Sequence, residues 1–250
     1  MQTGSLLHKQ MSERKITIKN TNENTFSVFR KSESIGTVEL YENRFHAQHG
    51  YLRLRLTEYD GGIAAELFDL LSKEVGKPLQ VMLPSDDTEL TSFLKDGGFA
   101  LKRRCFEVTA GREDLIETAP PMPSLAVCSR GDALYSECCA LMYSYYKTTH
   151  EAISPLTAPP ETFYSRLPDM ALFIRLDGKI VHTVFTEENE IAFIASASAK
   201  ELRPFCYAVV QRLFCGYERI SFECDDCDAA AMALRSLFRH NEASFDTYVR

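Results

Sequence analysis

The chain has 250 residues, 45% hydrophobic and 25% charged, which is near the globular average and enough to bury a core in one large domain or two small ones. Its formal net charge of −7 argues against nucleic acid or an anionic membrane as the main partner. No run approaches the roughly 18 apolar residues needed to cross a bilayer. The polar opening, residues 1–14, lacks a signal-peptide core and is expected to be disordered, so the chain is expected in the cytoplasm.

In the first half, residues 26–31 and 35–42 are β-rich runs separated by a short turn. Residues 51–56 (YLRLRL) alternate apolar and basic, the period-two signature of a half-buried strand. A helix with the stripe Ile63, Leu67, Leu70, Leu71 and Val75 follows Asp60-Gly61-Gly62, and Gly76 and Pro78 end it. Residues 79–83 read as a buried strand. Asp86 or Asp87 caps a helix with Leu90, Phe93 and Leu94 inward, and residues 99–108 read as a strand. Residues 111–124, charged and carrying three prolines, read as a linker.

The second half opens with a strand at 124–129 and a long amphipathic helix through Leu134, Cys138, Leu141, Met142 and Tyr145. Pro159 and Pro160 start a shorter helix. Strands at 170–176 and 179–186, joined by Asp177-Gly178, then repeat the order of the first half. They are followed by a strand at 190–196, a loop, a helix through Phe205, Val209 and Leu213, a strand at 218–224, a helix through Ala231 and Leu234, and a strand at 244–250. A repeat of this length means two related domains. The expected division is a disordered 1–14, a first domain at 15–110, a linker at 111–123 and a second domain at 124–250.

The eight cysteines are irregularly spaced, and only Cys224-Asp-Asp-Cys227 has metal or redox spacing. No second CxxC or HxxxH completes a zinc site, so free thiols and no metal are expected.

In each half a strand runs through a short loop into a helix N-terminus, where free backbone N–H groups and the helix dipole suit an anion. This order, with a further strand and a second helix behind it, resembles the GNAT N-acetyltransferase superfamily. That family holds the coenzyme A pyrophosphate on a loop of pattern Arg/Gln-x-x-Gly-x-Gly/Ala. Arg203-Pro204-Phe205-Cys206-Tyr207-Ala208 keeps the leading Arg and final Ala, with Cys206 at the first Gly, and Ser196, Ala197 and Ser198 lead into it. In the first half, residues 59–64 keep Gly62 and Ala64 but place Tyr59 at the Arg. A second landmark, Asn-x-x-Ala-x-x-Leu-Tyr-x-x-x-Gly-Phe, carries the Tyr that protonates the departing thiolate. Asp228, Ala231, Leu234 and Arg235 fall at the Asn, Ala, Leu and Tyr, and Leu94 takes the Tyr position of the first half.

The resemblance implies an α/β protein of two tandem GNAT-like mixed-sheet domains, the first truncated by loss of the two opening helices. It implies acetyl-CoA or another acyl-CoA as co-substrate, with Ser196, Ala197, Ser198, Arg203, Phe205, Cys206, Tyr207, Ala208, Asp228 and Arg235 in the second half, and Gly62 and Ala64 in the first, as cofactor-side positions. The expected reaction is acyl transfer to a primary amine, carried by a small molecule or a peptide. Glu223, on the strand face opposite Ile220, Phe222 and Cys224, is the candidate base. Self-association as a homodimer stays open. Loss of the tyrosine acid supports the alternative of a catalytically silent pseudo-acetyltransferase that binds coenzyme A or scaffolds. A GNAT-like aminoacyl or fatty-acyl transferase is a third reading.

Overall fold

The computed structural model of the chain describes residues 16–116, 121–239 and 242–250, so the expectation for residues 1–14 lies outside the described residues. Two compact units form. One runs to Lys102 and takes in Asp246–Arg250; the other is Arg103–Phe245.

In the first unit, β1 (Ile16–Asn22), β2 (Thr25–Arg30), β3 (Glu33–Tyr41) and β4 (Gly50–Leu56) make an antiparallel meander. Period-two patterning decides the faces: Leu52 and Leu54 are buried while Arg53 and Arg55 are exposed. Gly36 sits at φ 134, where an added Cβ would lie 2.2 Å from the Arg55 carbonyl oxygen, so no side chain is accommodated there. Helix α1 (Gly61–Val75) follows β4, buries Ile63, Ala64, Leu67, Phe68 and Leu71, and ends at the left-handed Gly76. Each of its larger apolar side chains stabilises the unit by about 1.5–3 kcal/mol. Strand β5 (Leu79–Pro84) runs parallel to β4, and α2 (Thr88–Asp96) starts at Asp87, whose carboxylate accepts from the Leu90 N–H at 3.0 Å.

The second unit begins inside β6 (Ala100–Gly111). It continues through β7 (Ala126–Ser129), α3 (Ala133–His150), α4 (Pro160–Tyr164), β8 (Met170–Leu176), β9 (Lys179–Glu187) and β10 (Glu190–Ser196). Helix α5 (Leu202–Leu213), strand β11 (Arg219–Asp225) and helix α6 (Ala229–Arg235) follow, and β12 (Ser244–Val249) is the last strand of the chain. The sheet order in this unit is β6-β11-β10-β9-β8-β7. Its core joins Ile220, Phe222 and Cys224 of β11 to Phe106, Val108 and Ala110 of β6 and to the inner faces of α5 and α6.

The element order expected from the sequence is present, with three differences. Strand β1 was not anticipated; its buried Ile16 and the partly buried Ile18 show the alternation over too few residues to stand out. The expected linker starts as structure: Arg112–Asp114 is a 3-10 turn, Leu115 bridges to Phe238, and the Ile116 N–H donates to the Leu237 carbonyl at 3.0 Å. Residues 117–120 lie outside the described residues.

The third difference is the largest. The halves 15–110 and 124–250 were each expected to keep their own last strand. Instead β6 completes the second unit, pairing antiparallel with β11 from Arg219↔Gly111 to Asp225↔Cys105, and the end of β12 belongs to the first unit. There the Leu79 N–H donates to the Arg250 carbonyl at 2.9 Å and the Arg250 N–H returns to the Leu79 carbonyl at 3.0 Å, the mutual exchange of an antiparallel pair. Tyr248 is buried in the core of the first unit, and the Arg250 guanidinium bonds Asp69 of α1.

Tyr248→Ala should therefore destabilise the first unit by about 3–5 kcal/mol, the cost of truncating a buried aromatic. Hydrogen exchange should show the loss of protection in residues 79–84, about 170 positions earlier in the chain. Protection lost only near β11 would contradict this strand assignment.

Candidate functional site

The parallel strands β10 and β11 pair at Glu190↔Ser221 and Ile191↔Phe222 and nowhere further along the described residues. Beyond that point β10 keeps β9 as its partner as far as Ser196, and β11 keeps β6 as far as Asp225. Each strand thus stays in the sheet on its outer side while the two separate on their inner sides. The register of β10 on β9 jumps from Ile191↔Thr186 to Phe193↔Phe185, so Ala192 is an extra, bulged residue where the gap opens. The first unit has the same parallel pair, joined only at Gly50↔Leu79 and Tyr51↔Gln80, but β4 runs against β3 without a register shift.

The gap of the second unit leads to the loop between β10 and α5. Its backbone is held from inside by His182 of β9, which is fully buried. Burial pulls the imidazole below its ordinary range, so it is neutral near pH 7. The Lys200 carbonyl, 2.8 Å from Nε2, can only accept, so Nε2 carries the proton, while Nδ1 lies 2.9 Å from the Ser196 hydroxyl, which donates to the Ser198 carbonyl at 2.6 Å. Ser198 adds a bond from the Lys200 N–H at 3.1 Å, and Glu201 closes the turn in the left-handed region at φ 62. No side chain caps α5. Ala197 and Lys200 are exposed, and Ser196 and Ser198 are half-buried.

Farther along, the expected cofactor positions divide. Phe205, Cys206, Tyr207 and Ala208 are buried side chains of α5 in the core, and the Phe205 N–H is already donated to the Glu201 carbonyl at 2.9 Å. A ligand at this helix end can therefore use the loop backbone ahead of Pro204 but not these side chains. Arg203 turns toward α6, donating to the Ser236 hydroxyl at 2.6 Å.

The corresponding loop of the first unit is closed by its own groups. Asp60 caps α1 by accepting from the Gly62 N–H at 2.8 Å, Arg30 pairs with Asp60 at 2.8 Å and Glu58 at 2.9 Å, and Ala64 is fully buried. A Cβ on Gly61 would fall 2.1 Å from an Asp96 carboxylate oxygen. In this structure the Gly62 N–H serves as a capping donor to Asp60 and Ala64 as a core residue.

On the face of β11 opposite the α5 core, Ser221, Glu223 and Asp225 alternate as expected. Glu223 is exposed, yet its carboxyl is raised above the ordinary range, by desolvation first and then by Asp225, Glu107 and Glu190. Glu107 lies directly across the strand pair from it. Two residues on, Asp225 meets Arg103 of β6 at 2.9 Å and His150, at the end of α3, at 3.3 Å. Burial alone would raise Asp225; the His150 bond and the Arg103 charge outweigh it and hold its carboxyl below the ordinary range. His150 is buried and stacks on Tyr146 with ring centroids 3.9 Å apart. The sequence marked neither Arg103 nor His150, which lie 122 and 75 positions from Asp225 and share no motif with it.

Asp228 is the N-cap of α6, accepting from the Ala230 N–H at 2.9 Å and the Ala231 N–H at 3.0 Å. The Tyr145 hydroxyl donates to the same oxygen at 2.6 Å. Capping thus occupies the carboxylate that was expected on the cofactor side. Burial, with Asp228 beside it, pushes the Tyr145 phenol up and keeps it protonated. Arg235, expected on the cofactor side, is 5% exposed, with its guanidinium 3.8 Å from the centre of the Phe106 ring and 3.5 Å from Glu242. It is a packed cation whose nearest carboxylate is one of the chain's own. Burial, foremost, also pushes the Cys224 thiol up to about 12 and the Cys227 thiol up to about 11, so neither supplies a thiolate near neutrality.

No family model matches the chain, and no curated protein matches it. Among solved structures, it is similar to a GCN5-related N-acetyltransferase from Kribbella flavida, at 14% identity and TM-score 0.49, over 98% of this chain and 93% of that one. A GNAT-family acetyltransferase from Colwellia psychrerythraea is similar at 10% identity and TM-score 0.46, over 90% and 84%. A Drosophila protein is similar at 13% identity and TM-score 0.47, over 98% and 87%. Among the described residues no helix is long and apolar enough to cross a membrane.

Asp225→Asn should destabilise the chain by about 3 kcal/mol near pH 7, because it leaves Arg103 without its buried counter-charge. The folded-state pKa of Asp225 is depressed, so its contribution is complete above the ordinary carboxylate range and is lost as pH falls through the folded value. Urea unfolding of both proteins should show the difference shrinking as pH falls below the ordinary carboxylate range. A difference that stays constant with pH would exclude this ion pair as its source.

Proposed function

We propose that the second unit transfers an acyl group from an acyl-CoA, acetyl-CoA being the simplest, to a primary amine. The observation that carries this reading is the bulged parallel pair β10/β11, which opens beside an uncapped helix N-terminus. In this reading the pyrophosphate lies on the backbone N–H groups of the loop from Ser196 to Arg203, with Lys200 and Arg203 supplying positive charge. The pantetheine arm enters the gap, where the backbone freed by the bulge at Ala192 offers a donor to the thioester carbonyl. Glu223 takes the proton of the amine, and a carboxyl raised above its ordinary range is the stronger base for it. A thiolate of ordinary pKa, about 8.5, departs without a dedicated acid, so the missing tyrosine slows the reaction without preventing it. The acceptor is a small-molecule or peptide amine, bound on the side of β11 that meets the end of α3.

One observation favours a silent, coenzyme A-binding reading: Arg235 stands where the acid would be and is packed on Phe106. The two readings differ in turnover and agree in binding.

Calorimetry with acetyl-CoA should give one site per chain. Arg203→Ala should weaken binding by about tenfold, the lower end for one charge-assisted contact, while Asp60→Ala in the closed loop of the first unit should leave it unchanged. Two sites, or binding sensitive only to Asp60→Ala, would move the cofactor to the first unit.

With an amine panel, the rate should rise with pH through a value above the ordinary carboxylate range. Glu223→Gln should lower it about 10²–10⁴-fold at unchanged coenzyme A affinity. Binding without turnover above background would leave the silent reading standing.

A further inference from the structure

The first unit contains a cavity of about 290 Å³ at the end of β3, the start of β4 and the C-terminal end of α1. None of the groups assigned above to acyl transfer lines it. One wall is the connection from Glu42 to His49, and its shape is set locally. The Asn43 side chain accepts from the Phe45 N–H at 2.9 Å, and the Asn43 carbonyl accepts from the His46 N–H at 3.2 Å. The Lys77 ammonium, just past α1, donates to the Ala47 carbonyl at 2.8 Å and pins this wall across the cavity. The floor is tight: a Cβ on Gly50 would lie 2.4 Å from a Val75 methyl carbon, so glycine is required for the chain to pass there.

The chemistry of the lining is one-sided. Arg44, His46, His49 and Lys77 bring four basic side chains to it, against the single carboxylate of Glu42, while Leu40 and Val75 give an apolar base. Tyr41 adds a hydroxyl whose pKa is raised, chiefly by burial, so it keeps its proton and can donate. The C-terminal end of α1 carries partial negative charge toward this end of the unit, and Lys73 in its last turn and Lys77 beyond it offset that. A basic wall above an apolar base complements a molecule with an oxyanion at one end and a compact apolar body at the other.

We propose that this cavity binds a small organic anion, with a carboxylate or phosphate group facing Arg44 and Lys77 and an apolar body, on the order of ten non-hydrogen atoms, over Leu40 and Val75. Binding here pulls the β3–β4 connection and the segment after α1 together, as the Lys77 bond already does.

The test is titration calorimetry on the full chain carrying Arg203→Ala, which weakens the anion site of the second unit. Phenyl phosphate and benzoate are titrated separately. At least one should bind with one site per chain, and Arg44→Glu in the same background should weaken it by about tenfold to a hundredfold, at an unchanged thermal midpoint. Tighter binding of phenyl phosphate assigns the site to phosphate esters, tighter binding of benzoate assigns it to carboxylates, and equal binding assigns it to oxyanions in general. Amide chemical-shift changes should fall on residues 41–50 and 75–77. No binding of either probe at about 10 mM, or binding that Arg44→Glu leaves intact, overturns the proposal.

Discussion

Between β10 and β11 the sheet is deliberately left unfinished, and much of the second unit follows from that. A pair of strands that stops pairing after two residues leaves backbone N–H and C=O groups facing each other across a gap, each costly if nothing meets it. Such a gap persists only if both strands are held from outside. Strand β9 holds β10, with the bulge at Ala192 turning the strand where separation begins. Strand β6 holds β11 over its whole length. The contact of Asp225 with His150 ties the far end of β11 to the end of α3. Remove any of these and the shortest path to satisfied hydrogen bonds is for the gap to close.

The same topology is put to different electrostatic use in the two units. At the N-terminus of α5 hydroxyls and cations stand beside the Glu201 side chain, which makes no cap bond, and a neutral buried histidine fixes the loop from behind. At the N-terminus of α1 the donors are answered by Asp60, and Glu58 and Asp96 crowd the approach. An aspartate cap stabilises a helix by roughly 1 kcal/mol and, by the same contact, removes the donors an anion would need. The first unit is therefore built for stability at the position where the second is built for access. Its basic groups gather instead at the opposite end of α1.

The sequence made the order of elements legible because most show their pattern: alternation in β4, a continuous apolar run in β8, a helical stripe in α1 and α5, and caps at Asp60, Asp87 and Asp228. It could not show which strand completes which sheet. Strands β6 and β12 each follow a helix by a short connection and alternate in the same way, so pairing with the near or the far partner reads identically. Glu223 was legible from strand parity alone. The burial of the Phe205, Cys206, Tyr207 and Ala208 side chains was not legible, because a motif aligned by position says nothing about which way a helical side chain points. Arg103 and His150 were invisible, since they meet Asp225 only through tertiary packing.

The exchange of end strands also bears on how the chain is made. Synthesis proceeds from the N-terminus at about 5–20 residues per second, and domains ordinarily fold as they emerge. Here the first unit lacks the strand that lies beside β5 until residues 246–250 have left the ribosome. The second unit, by contrast, has every strand of its sheet once β11 is out. The unit made earlier is thus completed only after β11 of the other has been made, with the edge of β5 open in the interval. A nascent chain in that state presents the kind of unpaired strand that chaperones cover.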